Sequence, residues 1–400
     1  MQQHKSHVSV PGVNESEQQK CLAEMYANKQ RPVCACKNPP LKMYIAKVGQ
    51  KFVVKRMPNT GCLHHPNCEA YEPPPELSGL GDVMGTAIKE NTEAGFTELK
   101  FEFSLSKTGA RGTQTKTSQS QSDSVKTDGH KLTLRSTLHY LWEEAQFNKW
   151  YPAMSGKRSW YVIRKHLLQT ALSKMVKGHS LAERLYIPEP FSVEKKDSIK
   201  QAQLGMVAKM TAGATGSSKP LMILIGELKE IIPARYGHRL VIKHAPDFPF
   251  MLNDDIYKRL HSRFDLELEL SELEDTHLIV IATASLSVSG IASVEEIALM
   301  TVTSNWIPFE TIHEKAVINA LTDNHRTFVK GLRYNLPQTK PLACTVLTDT
   351  PNPTAMYIMP IAPEEEFRKA MDALIEDSKM DSWIWDTTEF EIPELPAATK

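Results

Sequence analysis

Residues 31–74 read RPVCACKNPPLKMYIAKVGQKFVVKRMPNTGCLHHPNCEAYEPP. Cys34-Ala-Cys36 sets two thiols on alternate positions, where both can face one ion. The alternating segment Met43–Arg56 predicts two short strands joined at Val48–Gly49–Gln50. Beyond it, Cys62-Leu-His64-His65-Pro66-Asn67-Cys68 supplies the second half of the cluster. Zinc takes four nitrogen or sulfur ligands in a tetrahedron, commonly as two close pairs from two chain segments, and a hairpin brings such halves together. Cys34, Cys36, Cys62, His64, His65 and Cys68 compete for those positions. The competing readings are free surface thiols, a Cys34–Cys68 disulfide and a redox pair, whose usual spacing is CxxC rather than CxC. Clustered Cys and His around a hairpin favour a metal. With all positions filled by protein, the ion is structural and contributes on the order of 10 kcal/mol to folding so small a unit.

Working outward, residues 1–30 read as a disordered polar tail and 31–106 as the zinc-binding module with a following strand; Pro73–Pro74–Pro75 ends the hairpin unit. Residues 107–130, opening KTGARGTQTKTSQSQSDSVK, are too poor in apolar side chains to offset their ordering entropy and are expected to be a flexible linker. A helical block fills 131–190: Leu134, Leu138, Leu141, Trp142 and Ala145 fit one helix, and Trp160, Ile163, Leu167, Leu168 and Leu172 a second. In a mixed α/β region, 191–305, strands are expected at Leu221–Leu228, Arg239–His244, His277–Ala284 and Ala298–Thr303, with a helix around Asp255–Arg263. The last unit, 306–400, runs α-β-β-β-α-β. The fold class is α+β, in several domains.

The 400 residues carry 47 Lys+Arg against 47 Asp+Glu, so only a local excess of cations can point to a polyanion. The N-terminus has no apolar leader, and the most apolar stretch, His277–Ala292, is too interrupted to span a bilayer. A cytoplasmic protein with no membrane partner is the expectation. In that compartment its six cysteines are ligands or buried thiols.

From Ala145 to Ala182 there is no acid, while Lys149, Lys157, Arg158, Arg164, Lys165, Lys174 and Lys177 lie among Trp150, Tyr151, Trp160 and Tyr161. Lys157, Arg158, Tyr161, Arg164 and Lys165 form a candidate nucleic-acid surface, with DNA the possible partner. The two helices joined through Trp150–Gly156 suit a helix-turn-helix-like pair. The plainer reading is a solvated basic face whose Trp160 and Leu167 pack in the core.

The C-terminal element order resembles the core of PD-(D/E)xK nucleases. Asp349 stands where the first acid of that family belongs, but Ala355-Met356-Tyr357 lacks the (D/E)xK, so the domain reads as degenerate. Glu227-Leu-Lys229 reads as an ExK after an apolar strand, with Asp197 and Asp247 as the nearest partner acids, neither well placed; a charged hairpin end explains it better. His238 and His244 read as surface and strand residues, and Cys344 as a buried thiol. Phosphate-loop, dinucleotide-binding and GxSxG motifs are absent. No catalytic residue is assigned, and a metal-dependent nuclease using Glu227 and Lys229 is the alternative.

The half-sites Cys34-x-Cys36 and Cys62-x-His64 resemble the SWIM zinc finger, a module associated with nucleic-acid and protein contacts. The run from Arg31, together with LMILIGELKE, RYGHRLVIKH and FVKGLRYNLPQTKPLA, resembles an uncharacterised bacterial family, domain of unknown function 1173. That resemblance implies ligands at Cys34, Cys36, His64 and Cys68, leaving Cys62 and His65 as rivals, and carriage on conjugative plasmids and integrative elements. It implies no activity. The expectation is a zinc-binding, non-enzymatic protein that accompanies nucleic acid, with a conjugation scaffold of unknown protein partners as a further alternative.

Overall fold

The computed structural model describes residues 14–108, 130–212 and 218–399. They contain eight α-helices: α1 (Glu15–Ala27), α2 (Leu80–Val83), α3 (Leu134–Glu144), α4 (Trp160–Ala171), α5 (Lys196–Ala212), α6 (Asp254–Ser271), α7 (Ile312–Asp323) and α8 (Glu365–Ser378). Four β-sheets complete the α+β fold. Among the described residues no helix is long and apolar enough to cross a membrane.

The polar stretch expected to be a disordered tail is helical from Glu15. Asn14 caps α1 by accepting from Glu17 N. The Gln19 amide then pairs with both backbone groups of Phe52, at 2.9 and 2.7 Å, like an extra rung of the hairpin ladder. Composition predicts disorder here because this order is supplied by a tertiary partner. Of the linker expected at 107–130, Ser106–Thr108 pairs with strand Ser218–Pro233, and residues 109–129 lie outside the described ones.

Strand Leu41–Val48 lies between Val33–Cys34 and Lys51–Arg56. Pairing of Val48 with Lys51 leaves the two-residue turn Gly49–Gln50, and Gly49 has φ +61°. A Cβ there would lie 3.3 Å from Leu172 Cδ1, so the hairpin tip rests on the end of α4.

The middle of the chain closes into a five-stranded barrel. Ser218–Pro233 pairs with His238–Ile242, which pairs with Ala245–Leu252; that strand runs parallel to Ala292–Thr303, which pairs with Thr276–Leu286, which returns to Ser218–Pro233. Numbered within the barrel, the order is 1-2-3-5-4, with α6 between the third and fourth strands. The first strand serves two neighbours because it bends. A Cβ on Gly226 would stand 2.7 Å from Ile242 Cγ2, and a register shift follows between Leu228 and Glu230.

The barrel interior gathers Met222, Leu224, Leu240, Phe250, Leu278, Val280 and Leu299. Its outer face, through Ile223, Ile225, Ile279, Ile281, Met300 and Val302, packs against α3 and α4. This corrects the helix-turn-helix reading: α3 is an interior helix, with Leu138, Leu141 and Trp142 at 0% exposure. Segment 146–159 is also more than a turn, since Lys149–Trp150 adds an edge strand to the C-terminal sheet. That unit has the expected order: α7, strands Phe328–Lys330, Thr345–Leu347 and Thr354–Met359, α8, and Asp381–Asp386 parallel to the preceding strand. One apolar core runs from Val83 to Tyr334, across the boundaries expected at 190/191 and 305/306.

Candidate metal centre

Cys34 closes the short edge strand and Cys36 follows it. On the far side of the hairpin, a 3₁₀ turn over Gly61–Leu63 delivers His64, whose N–H bonds Gly61 O at 3.2 Å. A Cβ on Gly61 would sit 2.8 Å from Glu72 Cβ, so glycine permits the close return of the loop. The N–H of Cys68 bonds His65 O at 2.8 Å and carries the third thiol round to the same point. From the main body, the half-buried Lys149 clamps the loop, its Nζ donating to Glu69 O and Tyr71 O at 3.0 and 2.8 Å.

The four ligand atoms lie within 4.8 Å of one another. Cys34 Sγ is 3.6 Å from Cys68 Sγ, Cys36 Sγ is 3.4 Å from His64 Nδ1, and Cys68 Sγ is 3.7 Å from the same nitrogen. A tetrahedron with metal–sulfur bonds of about 2.3 Å and a metal–nitrogen bond of about 2.0 Å has S···S edges of about 3.8 Å and S···N edges of about 3.5 Å. The Sγ–Sγ separation is far beyond a disulfide bond of about 2.05 Å. The site can therefore hold a metal ion, and it can do so with protein ligands alone.

Electrostatics fit this use. Burial lowers the His64 pKa, aided by Arg56, Lys149 and Lys37, which favours the neutral imidazole that a metal requires. Burial also raises the Cys34 thiol and pushes Cys68 up to about 12. A cation at the centre reverses that penalty by stabilising the thiolates. The N–H of His65 points at Cys36 Sγ from 3.5 Å. The cluster excludes both rivals: Cys62 lies outside it, and His65 is exposed with its Nδ1 accepting from Asn67 N at 3.2 Å. The SWIM ligand set, which requires Cys62, is thus not the set brought together.

A family model matches residues 9–388 and so covers both the cluster and the barrel. The chain belongs to that family, DUF1173, a protein family of unknown function. No curated protein and no solved structure matches it. The DUF1173 match runs across the Cys/His loop, the barrel and the C-terminal sheet.

Within this DUF1173 chain, a cavity of about 420 Å³ adjoins the cluster, lined by Cys34 and Cys68 and by Tyr44, Arg56, Glu90 and Glu144. Its floor is a polar network absent from the sequence reading. Lys174 Nζ, at 0% exposure, donates to Glu144 Oε2 at 2.5 Å, Tyr140 Oη at 2.8 Å and Thr97 Oγ1 at 3.2 Å. Burial opposes the Glu144 charge, yet Lys174 and Lys55 hold the carboxyl down at about 2. Burial pushes neighbouring Glu143 up to about 7 although Tyr334 Oη donates to it at 2.6 Å. The only sequence hint was two acids placed directly after the apolar run Leu138–Trp142.

The candidate nucleic-acid residues separate into two groups. Arg158 is consumed internally: it donates to Phe147 O at 2.9 Å, Asn305 O at 3.1 Å and Lys149 O, and lies over the Phe147 and Trp150 rings. Arg164 donates to Ile187 O at 2.9 Å and pairs with Glu189 at 3.2 Å. With Lys149 and Lys174 also engaged, Lys157, Lys165 and Lys177 are left exposed, as is Tyr161, at 60%.

Neither candidate nuclease acid is placed to bind a metal. Asp349 receives both Arg326 Nε and Nη2, at 3.0 and 2.9 Å, and Thr327 N at 2.8 Å. Glu227 is buried and accepts from Lys243 and His277, each at 2.8 Å, while Lys229 is exposed and pairs with Glu230. His277 stacks on Trp306, and His244, 3.9 Å from Glu227, stacks on Trp160 of α4, so this carboxylate sits within the barrel's contact with α4. Among the described residues, Cys34, Cys36, His64 and Cys68 are the one group of three or more His, Cys, Asp or Glu placed to share an ion.

Proposed function

We propose that this chain is a zinc-binding, non-enzymatic protein whose Cys34, Cys36, His64 and Cys68 hold the ion as a staple. The observation that carries the reading is the set of three ligand–ligand distances, which match the edges of a tetrahedron closed by protein alone. Three thiolates and an imidazole select zinc over the hard cations, which prefer oxygen. The hairpin unit needs such help, since its own apolar cluster centres on only Tyr44, Ala46 and Val48. Elemental analysis of protein purified without added metal tests this: one equivalent of zinc is expected, and its removal by a chelator should expose the amides of residues 33–72 to exchange while the barrel stays protected. Loss of barrel protection at the same step, or less than 0.2 equivalents of any metal, would contradict it.

Association with nucleic acid is the second part of the proposal, supported by the exposed Lys157, Tyr161, Lys165 and Lys177 in a stretch without acids. Binding to DNA that weakens steeply with salt supports it. Absence of such binding favours a protein-interaction scaffold instead.

A further inference from the structure

The barrel carries a second surface of this kind, away from α4. Pro233 pairs with His238, and the intervening turn Ala234-Arg235-Tyr236-Gly237 is closed by Ala234 N donating to Gly237 O at 2.9 Å. Gly237 has φ +80°, and a Cβ there would meet Leu252 O at 2.2 Å, so the turn is fixed tightly against the end of the third barrel strand. On this rigid mount Tyr236 is 76% exposed, with the Arg235 guanidinium 5.3 Å from its ring centroid. The next residue after the turn, His238, stacks on Tyr257 of α6, with centroids 3.5 Å apart and planes 4° from parallel. His261 meets the other edge of that stack at 4.5 Å. Lys258 is exposed beside Tyr257, and Arg239 Nε is buried without a partner. Acids are present too: Asp254 lies 4.0 Å from His238, and Asp255 follows it in the first turn of α6.

We propose that this turn and the adjoining ring stack bind single-stranded nucleic acid, with Tyr236 stacking on a base and Arg235, Arg239 and Lys258 contacting phosphates. Two independent features support the assignment. The first is chemical: a solvent-facing aromatic ring on a fixed mount, flanked by cations, is what sequence-tolerant single-strand binding uses. The second is architectural and is an argument from fold likeness: five-stranded Greek-key barrels of the oligonucleotide-binding kind present the face of their second and third strands and the loop joining the first two. Here those are His238–Ile242, Ala245–Leu252 and Ala234–Gly237. The proposal rests on the nucleic-acid reading above and gives it a different address from the exposed cations of 157–177.

The test is fluorescence anisotropy of the full, zinc-loaded chain with a labelled 20-nucleotide oligothymidylate. Tyr236→Ala should weaken binding about fivefold or more, Tyr236→Phe should restore it, and Arg235→Ala should reduce the salt slope by about 0.7. The thermal midpoint should not move, because Tyr236 is exposed. If Tyr236→Ala binds like the parent while Lys157→Glu/Lys165→Glu weakens binding, the barrel site is wrong and the nucleic-acid reading stands. No binding by the parent chain overturns both. Tighter binding to duplex than to single strand, unaffected by Tyr236→Ala, also overturns the site.

Discussion

Replacing Lys174 by Met tests the polar network beneath the cavity that adjoins the Cys/His cluster. Its ammonium is fully buried, and its removal leaves Glu144 with the more distant Lys55, at 3.9 Å, and Arg56 as the described cations acting on it. Glu144 is held from 4.5 down to about 2, which corresponds to about 3 kcal/mol of interaction. Burial also pulls Lys174 down to about 8, so the pair as a whole is worth less than the Glu144 shift alone. Breaking one side of such a pair strands a buried charge, and the expected cost at pH 7 is about 3 kcal/mol. The pH dependence has a definite sign. A carboxylate depressed in the folded state contributes stability that is fully present above 4.5 and is lost as pH falls toward 2. Urea unfolding at pH 7 and pH 3 should therefore show a large loss in the variant at pH 7 and a smaller one at pH 3. Lys174→Met/Glu144→Leu should recover part of the loss. A cost below about 1 kcal/mol at pH 7, or an unchanged acid limb, would refute the ion-pair account.

Other residues give separable outcomes. Glu143 has a raised pKa, so its ionisation costs stability as pH rises from 4.5 through about 7; Glu143→Gln should stabilise the protein at pH 8 and leave it unchanged at pH 4, read by thermal unfolding. Arg158→Ala should cost about 2–4 kcal/mol in urea unfolding by stranding the carbonyls of Phe147 and Asn305, whereas Lys157→Ala should stay within about 0.5 kcal/mol. Arg326→Ala frees Asp349 and the carbonyl of Pro396, and should cost about 3 kcal/mol and expose the C-terminal segment to proteolysis. If that variant keeps full stability, the structural role given to Asp349 is wrong.

Much of this arrangement was legible in the sequence because it is local. Cys34, Cys36, His64 and Cys68 are close in the chain, and the alternation through Met43–Arg56 supplies the hairpin that joins them. The C-terminal order followed from apolar periodicity. Barrel closure was not legible: strand Ala245–Leu252 contains two prolines and reads poorly as a strand, and the bend at Gly226 depends on Ile242 packing over it. The Lys174–Glu144–Tyr140–Thr97 network joins residues as much as 77 positions apart. Counting cations between Ala145 and Ala182 could not reveal that carbonyls at Asn305 and Ile187 claim two of them.

The central claim is the ligand set, and one comparison addresses it most directly: zinc content of Cys62→Ser against Cys68→Ser, each purified without added metal. Cys62 lies outside the cluster and Cys68 within it. Cys62→Ser should retain one equivalent of zinc, and Cys68→Ser should lose it or bind it far more weakly. Loss of zinc in Cys62→Ser with retention in Cys68→Ser would contradict the account.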